Sequence, residues 1–167
     1  MIFSVRAVVR GRDCRPAWYL AQLPIRPNGA TGYLPAADLA VYRLDTRVVV
    51  DLSSRKLDMF RGGHRLLSVT TAVGSSATPT PTGRFYVNQR LYSENPDGPY
   101  GPGAIGISAF SPVLTGWAQG GPIAIHGTNR PDSIGRPVTN GCLRIPNEVL
   151  LRLFKATKNG TPVVIRA

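Results

Sequence analysis

Glycine and proline interrupt this chain so often that long helices have nowhere to form. There are 18 glycines and 15 prolines among 167 residues. Proline lacks the backbone N–H and clashes with the preceding helical turn, and glycine loses more backbone entropy than any other residue when it is ordered. What remains open is a mainly β, turn-rich fold. A hydrophobic fraction of 43% against 17% charged residues is that of a packed chain, not a disordered one. The length gives room for one ordinary domain, or one domain with a small appendage. No apolar run reaches the roughly 20 residues that a membrane helix requires. The opening MIFSVRAVVRGRDCRP shows no apolar signal core with a small-residue cleavage site.

The net charge is +11, from 20 Lys and Arg against 9 Asp and Glu, which suits polyanionic surroundings. The positive residues are mostly scattered arginines, with no Lys-rich tract and no aromatic-interleaved repeat, so no nucleic-acid motif accompanies the charge. An anionic cell-wall polymer fits the same balance. The two cysteines, Cys14 and Cys142, do not make a disulfide scaffold. Joining them would consume the thiol of the strongest motif in the chain. A zinc site from Cys14, Cys142, His64 and His126 lacks any short ligand spacing, so no metal and no organic cofactor is expected.

That motif lies in IAIHGTNRPDSIGRPVTNGCLRIPN, residues 123–147. Residues 123–125 read as a short buried strand delivering His126 at its end. Residues 141–145 read as a turn entering a second strand. Side chains alternate along a strand, so Cys142 and Arg144 should share one face while Leu143 and Ile145 enter the core. A thiol is a useful nucleophile as thiolate, and an imidazole nearby is the usual means of producing one. A cation two residues away on the same face helps hold that charge.

These residues resemble the active-site signature of the L,D-transpeptidase (YkuD-type) family, His-Gly-Thr followed by Ser/Thr-x-Gly-Cys-hydrophobic-Arg. The likeness falls on His126, Gly127, Thr128, Ser133, Ile134, Gly135, Thr139, Gly141, Cys142, Leu143, Arg144 and Asn147. Asn140 departs from it, because many members carry a second His there. The resemblance implies a β-sandwich of the L,D-transpeptidase type with one or two short helices over residues 43–167. Residues 1–42 then form a partial small-barrel module or an extra hairpin packed on the main domain, with strands at 18–23 and after an Asn28-Gly29 turn.

Further along, 48–52 and 56–61 read as a hairpin, and 65–73 as a third strand. His64, beside Gly63 in a turn, is expected to be solvated. TPTPTGRF, residues 78–85, runs as a rigid extended segment before a strand at 85–87. In the resemblance it is a wall of the active-site groove. Residues 88–122 are the least regular part and read as a long loop, a flap in the family. Tyr92, Tyr100, Phe110 and Trp117 there are either peptide contacts or core plugs. Asn147 reads as a helix N-cap, and Leu150, Leu153, Phe154 and Thr157 as one packed face ending at Asn159-Gly160.

The implied chemistry is acyl transfer through a thioester at Cys142, with His126 as base and the Gly127 carbonyl orienting the imidazole. Backbone N–H groups around Gly141 and Cys142 hold the oxyanion. Arg144, Thr139, Asn140, Thr128, Tyr100 and Trp117 are the candidate substrate contacts. The substrate is a peptidoglycan stem peptide, cut before its terminal D-Ala and joined to an amine of a neighbouring stem. Carbapenem-type β-lactams are the expected inhibitors, a monomer the expected state, and the extracytoplasmic cell wall the expected location. Water as acceptor makes the same site an L,D-carboxypeptidase or cell-wall cysteine peptidase. A non-catalytic basic wall-binding protein is the reading from another class.

Overall fold

The computed structural model describes residues 1–116 and 121–167. Two sheets organise them. The smaller is antiparallel, with β1 (Ser4–Arg10), β2 (Pro16–Gln22) and β3 (Thr31–Pro35) in the order β1-β2-β3. The sequence suggests two strands here, and the structure adds β1, whose VRAVVR pairs along β2 with two register shifts. Asn28-Gly29 does not make a two-residue hairpin turn, because residues 23–30 all separate β2 from β3. Asn28 instead reaches the other sheet. Its Nδ2 donates to Phe110 O at 2.8 Å, and its Oδ1 accepts the Phe110 N–H at 2.9 Å.

The larger sheet holds β4 (Thr46–Asp51), β5 (Lys56–Arg61), β6 (His64–Thr70), β8 (Gly83–Tyr92), β9 (Gly103–Phe110), β10 (Pro122–His126), β12 (Leu143–Arg144) and β13 (Pro162–Arg166). Its order is β12-β10-β9-β8-β13-β4-β5-β6, and β7 (Val73–Gly74) pairs separately with β11 (Pro137–Thr139). The expected β4–β5–β6 meander is present, with Val48 opposite Met59 and Leu57 opposite Val69. His64 is exposed at the start of β6. The chain is mainly β, as expected.

Residues 88–122 require a correction: β9 runs through them. GAIGISAF pairs with β8 on one side and β10 on the other, which makes it an interior strand. Paired along both edges and carrying Gly103, Gly106 and Ser108 among its apolar residues, β9 has a composition that resembles a loop when read linearly. Two aromatics expected as groove or core residues take other places. Tyr92 stacks on Phe154 with ring centroids 4.6 Å apart, and Arg26 lies over the Phe110 ring at 5.6 Å. Trp117 lies outside the described residues.

The core joins Val48, Val50, Leu57 and Met59 to Ile105, Ile107, Ile123, Ile125, Leu143 and Ile145, with Leu150, Leu153 and Phe154 of the helix closing it. That helix, α1 (Asn147–Ala156), buries the predicted face. Its start differs from the expectation. Pro146 occupies the cap position, no side chain caps the helix, and Asn147 is its first residue with its carboxamide turned elsewhere. It ends at Ala156, where the Thr157 N–H and Oγ1 both donate to Leu153 O, at 2.9 and 2.8 Å.

Candidate active site

The parallel pair β10–β12 sets the geometry. Ile125 lies opposite Leu143, and His126 lies opposite Arg144. Ile125, Leu143 and Ile145 have no exposed surface, so the apolar members of both strands point into the core. The alternate positions, His126, Cys142 and Arg144, consequently share the other face. Cys142 is two residues before the partner of His126 on an adjacent strand. Both cysteines are free thiols, which removes the Cys14–Cys142 disulfide.

The turn into Cys142 is held from several sides. Thr139 Oγ1 donates to Cys142 O at 2.6 Å and accepts the Gly141 N–H at 3.1 Å. Thr139 is buried, with both functions of its hydroxyl engaged, so its observed work is to shape the turn and not to face a ligand. The same bond occupies the Gly141 N–H, one of the two donors expected for an oxyanion. Gly141 adopts φ +107°, a backbone conformation that strains any residue with a Cβ, and a Cβ there would also press on Ile123 Cδ1 at 2.8 Å.

The TPTP segment is bonded to the turn before Cys142. Thr80 Oγ1 donates to Gly141 O at 2.9 Å, and Thr78 Oγ1 donates to Thr139 O at 2.9 Å. Thr78 Oγ1 also approaches Asn140 Oδ1 at 3.5 Å, with the Asn140 side chain exposed at the rim. The sequence hints at a wall, yet nothing in it identifies these two hydroxyls. Their position beside prolines, which remove competing N–H donors, is the only signal available.

His126 is buried, with Nδ1 2.6 Å from Gly127 O. A carbonyl only accepts, so Nδ1 carries the proton in the neutral ring and Nε2 keeps a lone pair. The exposed Tyr100 meets the imidazole edge-on, with ring centroids 4.9 Å apart and planes at 62°. Thr128 is buried and gives its backbone N–H to Asn147 Oδ1 at 2.8 Å. Gly127 has no room for a Cβ, which would collide with Asn147 Oδ1 and lie 2.9 Å from Pro102 Cδ.

Electrostatically the resting pair is neutral. Burial lowers the His126 pKa to about 4, against the raising effect of the Gly127 carbonyl, and the Arg144 charge lowers it further. Burial likewise pushes the Cys142 thiol up, against the Ala124 backbone N–H and Arg144, which both favour thiolate. The expected help from Arg144 is therefore present but outweighed by desolvation. Arg144 Nε is buried and has no hydrogen-bond partner among the described residues. The Arg144 backbone is fixed by reciprocal bonds with Ala72, at 2.9 and 3.2 Å, and by Thr71 Oγ1 at 3.0 Å. An immobilised cation with an unused donor beside a thiol and an imidazole suits an anionic group on a bound molecule. No cluster of three potential metal ligands occurs among the described residues.

Comparison with known proteins gives a consistent picture. The sequence profile of the L,D-transpeptidase catalytic domain, YkuD, matches residues 45–165. YkuD of Bacillus subtilis, assigned as an L,D-transpeptidase, is 32% identical over 124 residues, covering 74% of this chain and 68% of that protein. The catalytic domain of an Enterococcus faecium L,D-transpeptidase superposes with a TM-score of 0.54 at 26% identity, over 75% of this chain and all of that one. The L,D-transpeptidase LdtMt1, solved in complex with imipenem, shares the fold with a TM-score of 0.54 at 19% identity. That match covers 73% of this chain and 59% of LdtMt1.

Proposed function

Because the chain belongs to the L,D-transpeptidase catalytic-domain family through residues 45–165, we propose that it is a peptidoglycan L,D-transpeptidase using Cys142 as nucleophile and His126 as base. The observation that carries this reading is the pair of side chains on one face of adjacent strands, with His126 Nδ1 bonded to Gly127 O so that Nε2 is free to accept a proton.

In the first half-reaction the Cys142 S–H proton moves to His126 Nε2 as the sulfur attacks the carbonyl carbon preceding the terminal D-Ala of a stem peptide. The tetrahedral oxyanion takes the Cys142 N–H, since the Gly141 N–H is held by Thr139. The C–N bond breaks, the imidazolium gives its proton to the departing D-Ala amine, and a thioester remains on Cys142. An amine from a neighbouring stem then attacks the thioester, losing its proton to His126. The new amide forms as the thiol is regenerated. If water attacks instead, the product is a shortened stem and the activity is that of an L,D-carboxypeptidase. Arg144, with its unpartnered Nε, receives the substrate carboxylate. The wall from Thr78 to Pro81 and the Tyr100 ring border the peptide. A peptidoglycan substrate implies a site of action outside the cytoplasm.

Neutral resting groups give the reaction a distinctive pH dependence. Acylation needs uncharged His126, so its rate falls only as pH drops toward the His126 value of about 4. Alkylation of Cys142 by iodoacetamide, which needs thiolate and is read in Cys14→Ala because Cys14 is also free, keeps rising above neutral pH because burial raises the Cys142 pKa. An alkylation plateau already reached at pH 5 would instead mean a preformed ion pair.

Intact-protein mass spectrometry after exposure to imipenem or a tetrapeptide-bearing muropeptide tests the reading directly. One covalent adduct on Cys142, absent from Cys142→Ala, is expected. No adduct, or one that persists in the variant, would defeat the proposal.

A further inference from the structure

The base role of His126 depends on what fixes the carbonyl that holds its other nitrogen. That carbonyl is one end of the Gly127–Thr128 amide. Its oxygen lies 2.6 Å from His126 Nδ1, and the N–H at the other end donates to Asn147 Oδ1 at 2.8 Å. A peptide unit is a rigid plane, so a bond that fixes the direction of its N–H fixes the direction of its C=O as well. Asn147 is itself firmly placed. It is the first residue of α1, whose Leu150, Leu153 and Phe154 are buried. Its Oδ1 sits where a Cβ on either Gly101 or Gly127 would collide with it. The helix does not account for this side chain, since α1 has no side-chain cap bond.

We propose that Asn147 is a positioning residue that sets the tautomer and tilt of the His126 imidazole through the Gly127–Thr128 peptide. The proposal rests on the reading of His126 as the base for Cys142. Carboxamide, peptide and imidazole form one row, in which each hydrogen bond polarises the next in the same direction, and in the proposed reaction Nε2 extends it to the Cys142 thiol. A ring released from this row samples the Nε2–H tautomer, which presents a proton to the thiol where a lone pair is needed.

Arg144 and Tyr100 are the charged and titratable groups that act on the imidazole, and Cys142 stands at the entry to the neighbouring strand β12. Asn147→Leu adds none to that set. Asn147→Asp preserves an acceptor for the Thr128 N–H and adds a carboxylate.

The test is the ¹⁵N–¹H correlation spectrum of the imidazole nitrogens in the full chain between pH 5 and 8. Imipenem acylation of the same samples is followed by intact mass. The wild type is expected as the Nδ1–H tautomer throughout. Asn147→Leu is expected to show mixed tautomers and acylation slowed roughly 100-fold, the scale of a misplacement of about 1 Å at a reacting group. Asn147→Asp is expected to retain the Nδ1–H tautomer, recover most of the rate and move the acidic limb to higher pH, because a carboxylate favours imidazolium. Asn147→Leu with the wild-type tautomer and acidic limb would overturn the proposal, whatever its melting temperature.

Gly127→Ala, which pushes on Asn147 Oδ1 from the opposite side, supplies the same tautomer readout if Asn147→Leu fails to fold. An unchanged tautomer in that variant also overturns the proposal. A wild-type protein with the Nδ1–H tautomer that imipenem never acylates would defeat the functional reading alone, and the tautomer of the variants would still decide on Asn147.

Discussion

Along β1 every residue after Ser4 is exposed, whereas Ile125 and Leu143, paired on β10 and β12, have no exposed surface at all. The two regions are held by different forces. The β10–β12 end is set by apolar burial, with side-chain hydroxyls trimming the turn between its strands. The small sheet and its β2–β3 loop are attached to the large sheet through polar contacts that each join a side chain to a backbone group. Gln22 Nε2 donates to Arg84 O at 2.9 Å, and Tyr86 Oη donates to Gln22 O at 3.2 Å. Arg6 bonds both the Gln22 side chain and Arg84 O. Arg26 Nη2 reaches Ser111 O at 2.7 Å, and Asn28 holds both polar groups of Phe110. Burial is unspecific in direction but strong, and hydrogen bonds are directional but weak in net terms. A site that must hold two side chains to fractions of an ångström is built on the former.

Mutations rank these forces. Leu143→Ala removes a fully buried side chain between β12 and the core and should cost about 2–5 kcal/mol in urea unfolding. A cost below 1 kcal/mol would show that this edge is not anchored by burial.

Acid gives the next largest effect. The native His126 pKa of about 4 lies below the ordinary 6.5, so the unfolded chain binds the proton more readily. The stabilisation is complete above pH 6.5 and disappears as pH falls through 4, a loss of about 3 kcal/mol. The unfolding free energy of the wild type at pH 7 and pH 4, compared with that of His126→Phe, isolates this component. Asp51 adds a separate loss at lower pH. The Ser54 N–H and the Ser53 and Ser54 hydroxyls hold its carboxyl below the usual range.

Tyr86→Phe breaks one attachment of the small sheet and should cost about 1 kcal/mol. Faster amide exchange confined to β1–β3, with β4–β13 unchanged, is the expected signature. Exchange that rises everywhere would mean that the sheets open together. Smallest of all, Val9→Ala on the exposed β1 should shift stability by less than about 0.5 kcal/mol. A larger loss would place a partner over that face.

What could be read from the sequence follows the same division. The β4–β5 hairpin is legible because two short runs rich in apolar residues, 48–52 and 56–61, flank the turn residues Ser53, Ser54 and Arg55. The candidate-site segment is legible because His126, Gly141, Cys142 and Arg144 combine unusual chemistry with a fixed spacing. β9 is not, because Gly103, Gly106 and Ser108 among its apolar residues give it a composition that resembles a loop. Asn147 was misread for a different reason. Its type and position fit a helix cap equally well, and only the fold brings Thr128, nineteen residues earlier, to its side chain. Thr139 shows the same limit, since a hydroxyl in a turn can face outward or inward until the turn is built.

β13 lies between β8, which it meets antiparallel, and β4, which it meets in parallel. Among the described residues, β4–β6 and the strands β8, β9, β10 and β12 are therefore joined within the large sheet only through residues 162–166. That one strand is the seam of the sheet, and loosening it would part the half that carries His126 from the half that carries Val48 and Leu57.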